Sequence, residues 1–270
     1  MRHWPFLTLI LLLGSGFSKP TDHGASHFVS FDPGIEEVLR KISHLELDQA
    51  MSLLSRRSDR TTNHACLFAE DLAGFWRYFS KGSSEDLASF RKQQTVRMQI
   101  LERSGLTESW KWFLQCELLL RGALADIHTD ERLAAFFKIR KAIRLLEANR
   151  DRHPGFLPAQ KNLGILKALA GTIPEDLEWF AALAGIRGTI GEGADILNRF
   201  LRNPESGDYP YLRLEATAAR AFIQSYLELK PAEAYRYWQK ERPQGSPHCS
   251  KNGYLSDWPR GHSIPIKTIS

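Results

Sequence analysis

Apolar residues recur at every third or fourth position through most of the chain, the period of a helix packed on one side. Ile35, Val38, Leu39 and Ile42 form the first such stripe, and Asp32-Pro33 just before it supplies a cap and a proline at the first helical position. The same period predicts helices over 47–55, 63–79, 86–103 and 107–127, the last carrying Trp110, Phe113, Leu114, Leu118 and Leu124. Further helices are predicted over 131–152, 157–170, 175–184, 192–201, 209–229 and 231–241. The stripes are interrupted at Lys81-Gly82-Ser83-Ser84, Ser104-Gly105, His153-Pro154-Gly155 and Asn203-Pro204, where glycine, proline and capping side chains end one helix and start the next. Nothing alternates with a period of two over a convincing length, so the expected class is all-α.

A longer spacing recurs inside this pattern. Ala142 is followed by Leu145-Leu146, then Pro154, then Leu163-Gly164 in the next helix. Ala50 begins a second copy, with Leu53-Leu54, a polar break at Thr61-Thr62 and Leu72-Ala73. Alanine lets two helices approach closely, the leucines fill the seam, and the break turns the chain. Antiparallel helix pairs of this kind are expected to stack as an α-solenoid over residues 32–242.

The two ends read differently. Arg2-His3 precedes a run from Trp4 to Leu13 that is apolar except for Thr8, and small residues follow at Gly14, Ser15, Gly16 and Ser18. This predicts a signal peptide over 1–18, and a run that short does not span a bilayer as a helix, which needs about 20 residues. No later segment reaches transmembrane length. Residues 19–31 are polar and read as a flexible segment. Residues 243–270 hold Pro, Gly and Ser without helical period, and are expected to be an irregular tail foreign to the repeat, a truncated or frame-shifted end.

A net charge of +5 is spread over interspersed pairs such as Arg56-Arg57 near Asp59, with no dense basic stripe, which argues against a nucleic-acid partner. Three cysteines, Cys66, Cys116 and Cys249, are too few for a disulfide framework. Cys66 and Cys116 lie among apolar neighbours and read as small buried hydrophobes. A bridge between them stays open on sequence alone.

The alanine, proline and Leu-Gly positions resemble the tetratricopeptide repeat (TPR), in which Leu-Gly marks the first helix of a pair and an alanine followed twelve residues later by proline marks the second. The stretch Ile139-Arg140-Lys141-Ala142 through Leu146, Pro154, Leu163-Gly164 and Gly171-Thr172-Ile173-Pro174 is also similar to exported proteins of Bacteroidetes-type bacteria with TPR-like repeats. Gly185, Gly188 and Gly191 with Thr189-Ile190 fit the same likeness, which runs over about residues 30–242. That group carries no assigned activity, so the resemblance implies a fold and a compartment but no catalytic residues.

Candidate chemistry is sparse. Gly185 to Gly193 has the glycines of a phosphate-cradling loop, but Glu192 stands where a Walker loop needs lysine; a tight turn between helices is the better reading. There is no HExxH or CxxC, and His248, Cys249 and His262 fall in the irregular tail. His44, His64, His128 and His153 read as ordinary polar or capping histidines. Glu70-Asp71 invites comparison with a glycosidase pair, yet neighbours on a helix point about 100° apart, so the two read as surface charge. The aromatics are more informative. Trp110 and Trp112 face different sides of one helix, and Trp76, Trp110, Trp112 and Trp179 are candidate anchors for a partner in a groove. The expectation is therefore a non-catalytic protein-interaction scaffold at the bacterial cell envelope, holding a protein or peptide partner and requiring no cofactor or metal. A glycan- or small-molecule-binding module is the alternative, and a peptidoglycan-cleaving helical enzyme a more distant one.

Overall fold

The structure is a computed structural model and describes residues 26–172, 185 and 187–241. The signal peptide 1–18, the helix over 175–184 with Trp179, Cys249 and the tail 243–270 lie outside the described residues.

The described chain is all-helical, about ten helices packed in pairs. Helix α1 (Pro33–Ser43) begins as expected, with the Asp32 carboxylate accepting from the Gly34 and Ile35 backbone N–H groups at 2.9 and 3.1 Å. Helix α2 (Leu47–Ser55) returns along it. Asn63 caps α3 (His64–Lys81), which Gly82 ends with a φ of +68° that a side chain would strain. Ser83 then caps α4 (Ser84–Arg103), which packs antiparallel to α3. Helices α5 (Glu108–His128) and α6 (Arg132–Arg152) form the most extensive antiparallel pair. Ala142 is fully buried in their seam, and Ala50 fully buried in the core with α2, as the small-residue spacing requires.

Helix α7 (Pro158–Ala170) meets α8 (Ile190–Arg202) almost backbone to backbone. A Cβ on Gly164 would lie 2.8 Å from Leu197 Cγ, and one on Gly193 would collide with the Ala168 and Gly164 backbone. The glycines around the α8 start thus serve helix packing, with Gly188 pressed on Lys167 in the same way. After a short 3₁₀ turn, Pro204–Asp208, α9 (Pro210–Phe222) runs into a wider π turn at Ile223–Leu227. The sequence predicts one unbroken helix to 229; the π turn and Leu229, held at a φ of +59°, end it sooner. Helix α10 (Pro231–Glu241) follows.

The main core gathers α1, α2, α3, α5 and the inner faces of α7, α8 and α9 around Phe68, Phe113, Leu114 and Phe200. A second apolar cluster lies between α5, α6 and α7. Cys66 and Cys116 are both buried free thiols, unbridged, and burial pushes the Cys66 thiol up to about 11. Residues 26–31, read from sequence as flexible, lie against the start of α3, with a single bridge joining Phe28 to Asn63.

Candidate functional site

Two polar constructions stand out, one sealed in the centre and one open at the surface. The central one begins with a correction. Glu70-Asp71 reads as surface charge, but the Asp71 side chain is 0% exposed. It sits on the apolar stripe of α3 between Phe68 and Phe75, so the packing that buries the stripe buries the carboxylate with it. Its compensation comes from Arg121 on α5, whose Nε donates to Asp71 Oδ2 at 2.7 Å, and from Arg97 on α4 at 3.4 Å. Glu70 bonds to Arg60 at 2.6 Å, with Arg97 Nε 3.9 Å from its other oxygen.

The chain of charges continues inward. Arg121 Nη1 donates to Glu117 Oε2 at 2.8 Å, and its guanidinium carbon lies 4.7 Å over the Phe68 ring. Lys161 on α7 donates to Glu117 Oε1 at 2.9 Å and to Glu215 on α9 at 2.5 Å. Asn162 adds a bond to Glu117 at 2.6 Å. Three cations, Arg97, Arg121 and Lys161, thus balance three carboxylates, Asp71, Glu117 and Glu215. Burial works against an ionised Glu117, yet Lys161 and Arg121 overcome it and hold its carboxyl below the ordinary value. With both oxygens of Glu117 committed to a cation or amide, this chain of charges fastens α3, α4, α5, α7 and α9 together, while burial holds the Asp71 carboxyl above its ordinary value in spite of Arg121 and Arg97.

A different balance holds at the junction of α1 with α9. Glu36 lies partly buried there, its Oε1 buried without a hydrogen-bond partner. Burial lifts its carboxyl to about 7, the Tyr211 backbone N–H opposing and nearby Asp32 adding to the rise.

The open construction is a cleft of about 550 Å³ between α4 and α6, floored by α5. Leu118 and Leu119 form its floor with Met98, and the walls carry Thr95, Gln99 and Glu102 on one side, Ala134, Lys138 and Lys141 on the other. One end is tied shut. Arg91 reaches from α4 to Asp126 at 3.0 Å and Glu131 at 2.8 Å, while Lys138 reaches from α6 to Asp126 at 2.5 Å. Gln94 crosses to the Leu118 carbonyl at 2.6 Å over Gly122, where a Cβ would come within 2.6 Å of the Gln94 oxygen. At the other end Gln99, Glu102 and Lys141 make no hydrogen bond or ion pair among the described residues.

Among the described residues, none of Trp76, Trp110 and Trp112, expected to anchor a partner, lines this cleft. Trp110 belongs to an aromatic cluster with Phe156 at 4.9 Å, Phe113 at 5.8 Å, Tyr209 at 6.0 Å and Phe31 at 6.1 Å between ring centroids. Trp112 faces away from it, beneath Arg152 at 5.2 Å and near His153. Trp76 packs on Phe75 and Phe79 at the outer end of α3. The three described tryptophans, Trp76, Trp110 and Trp112, do not converge as one site. His64 pairs with His27 at 3.0 Å and His128 with the Tyr78 hydroxyl at 2.7 Å, and no group of three metal-ligating side chains occurs among the described residues. What the pattern of single helices did not signal is the cleft, because its walls are 40 residues apart in sequence where Arg91 meets Glu131.

Comparison of the chain with protein-family models, with curated proteins and with solved structures finds no match, so the likeness to TPR-like exported proteins rests on the sequence pattern alone.

Proposed function

We propose that the chain is a non-catalytic binding scaffold of TPR-like helix pairs, exported to the bacterial cell envelope, which takes a segment of a partner protein in the cleft between α4 and α6. The observation that carries this reading is the open end of the cleft, where Gln99, Glu102 and Lys141 stand free of partners beside an apolar floor. Apolar floors with a few uncommitted polar groups suit a ligand that supplies both kinds of contact. From Arg91 to Glu102 the α4 wall is about 16 Å long at 1.5 Å per residue, enough for about three turns of a docked helix. Among the described residues the cleft lining holds no aromatic ring for a sugar face to stack on, which favours a peptide over a glycan. The buried alanines in the helix seams and the antiparallel pairs support the repeat reading.

The test is capture from an envelope extract by the full chain beside a Gln99→Glu, Lys141→Glu variant, both exposed positions whose change leaves the core intact. A protein retained by the parent chain and lost with the variant supports the scaffold. Equal retention by both sinks the cleft as the site, and saturable binding of oligosaccharides in place of protein moves the reading to a glycan module.

A further inference from the structure

Phe31 reaches the aromatic cluster on the segment that precedes α1, and the way this segment is held is unlike helix packing. The Phe28 backbone N–H donates to the Thr62 carbonyl at 3.0 Å, and the Phe28 carbonyl accepts from the His64 N–H at 2.8 Å. Two residues on, the Asn63 side chain takes both backbone groups of Ser30. Its Oδ1 accepts from the Ser30 N–H at 3.0 Å and its Nδ2 donates to the Ser30 carbonyl at 3.1 Å. Asn63 is 0% exposed, and its Oδ1 also accepts from the Ala65 N–H at 3.1 Å, which fixes the amide in this orientation. Phe31 then enters a socket whose rings are Phe68 at 5.7 Å, Trp110 at 6.1 Å and Tyr209 at 6.1 Å.

Two properties separate this arrangement from core packing. The bonds to Phe28 and Ser30 all read backbone, while Phe31 fills a preformed aromatic socket and the His27 ring meets His64 at 3.0 Å; backbone pairing with a few side-chain anchors is how proteins hold extended peptides. Moreover, Phe31, Trp110 and Tyr209 are each only partly buried, so the socket opens at the surface. We propose that this groove is a peptide-binding site, filled in cis by residues 27–31 as an internal ligand. It accepts in trans an extended segment with an aromatic residue directly after the one clamped by Asn63. The groove is separate from the cleft between α4 and α6, so either assignment can fail without the other.

The probe is a fluorophore-labelled synthetic peptide of residues 26–32, followed by anisotropy against the full chain, against a full chain carrying Phe31→Ala, and against one carrying Ser30→Pro. Both variants loosen the internal ligand, the first by removing its anchor and the second by removing the N–H given to Asn63. The expected result is at least tenfold tighter binding to a variant than to the parent chain, whose own segment competes. Peptides carrying Phe31→Ala or Ser30→Pro should lose at least tenfold against the same variant. Equal affinity for parent and variants, equal affinity for the three peptides, or no saturable binding at about millimolar peptide by whichever variant keeps the parent's helical circular dichroism would overturn the proposal. Two variants are used so that a folding failure of one leaves the other to decide.

Discussion

Glu117 at the centre and Glu36 at the α1–α9 junction are both glutamates withdrawn from water, and the two regions treat the same charge in opposite ways. Around Glu117 the fold brings Arg121, Lys161 and Asn162 to both oxygens, and the carboxyl is held below its ordinary value in spite of burial. Around Glu36 it brings a single backbone N–H and another carboxylate, so burial prevails and the group sits at about 7. Burial alone does not decide whether an ionisable group supports a fold; the partners delivered with it do.

The comparison can be broken most forcefully at Lys161. Lys161→Met leaves Glu117 short of a cation in a sealed site, and removing one partner of a buried pair should lower unfolding stability by about 3–5 kcal/mol, read by urea denaturation. Adding Glu117→Leu should recover most of that loss, to within about 2 kcal/mol of the parent chain, because an apolar pair replaces a pair of charges in the same space. A double variant no better than the single one would mean that the loss arises from the partners left without a mate, Arg121, Asn162 and Glu215, and not from an unpaired Glu117.

Glu36 sharpens the comparison through pH. Its folded value of about 7 lies above the ordinary 4.5, so the folded state binds the proton more tightly. Stability from this group is therefore full below about pH 4.5 and declines as pH rises through 7. Glu36→Gln should raise stability at pH 8 by on the order of 2 kcal/mol and change little at pH 4.5, measured by denaturant titration at both values. Glu117 runs the other way: its contribution is present above about 4.5 and fades as acid protonates it. A Glu36→Gln chain that gains nothing at pH 8 would place the Glu36 carboxyl in water.

The smallest effect is expected at the tied end of the cleft, where Arg91 and Glu131 are solvated and the buried Asp126 keeps Lys138 when Arg91 is removed. Arg91 is about a third exposed, and Glu131 more so. Arg91→Ala should lower stability by about 1 kcal/mol or less, with the difference shrinking in high salt, whereas the Lys161 effect should hold its size.

Much of the helical framework was legible in the sequence because its signals are local. Asp32-Pro33 and Ser83 cap helices where the pattern placed them, and Gly82 stops α3. The buried Ala50 and Ala142 were legible for the same reason, since a small residue at a seam announces close approach. Asp71 was misread although a signal existed: it interrupts an apolar stripe at helical spacing, as do Glu117 and Arg121 on α5. A charge in such a position is balanced from far along the chain, and no local pattern names its partner. The tryptophans were recognised as excess to a single stripe, but whether Trp110 faces a partner or the chain's own Phe31 depends on where residues 26–31 lie.

The central charges also bear on the order of folding. Asp71 waits for Arg121 across 50 residues, Glu117 for Lys161 across 44, and Lys161 for Glu215 across 54. Each loop must close before its ions are matched, and the entropy of closure is lost before any attraction is gained. A half-assembled chain with α3 and α5 docked but α7 and α9 absent would carry Glu117 with Arg121 alone, without Lys161 or Asn162. Partial structures are thereby raised in free energy relative to the complete one, and the five helices are expected to arrive as a single cooperative step.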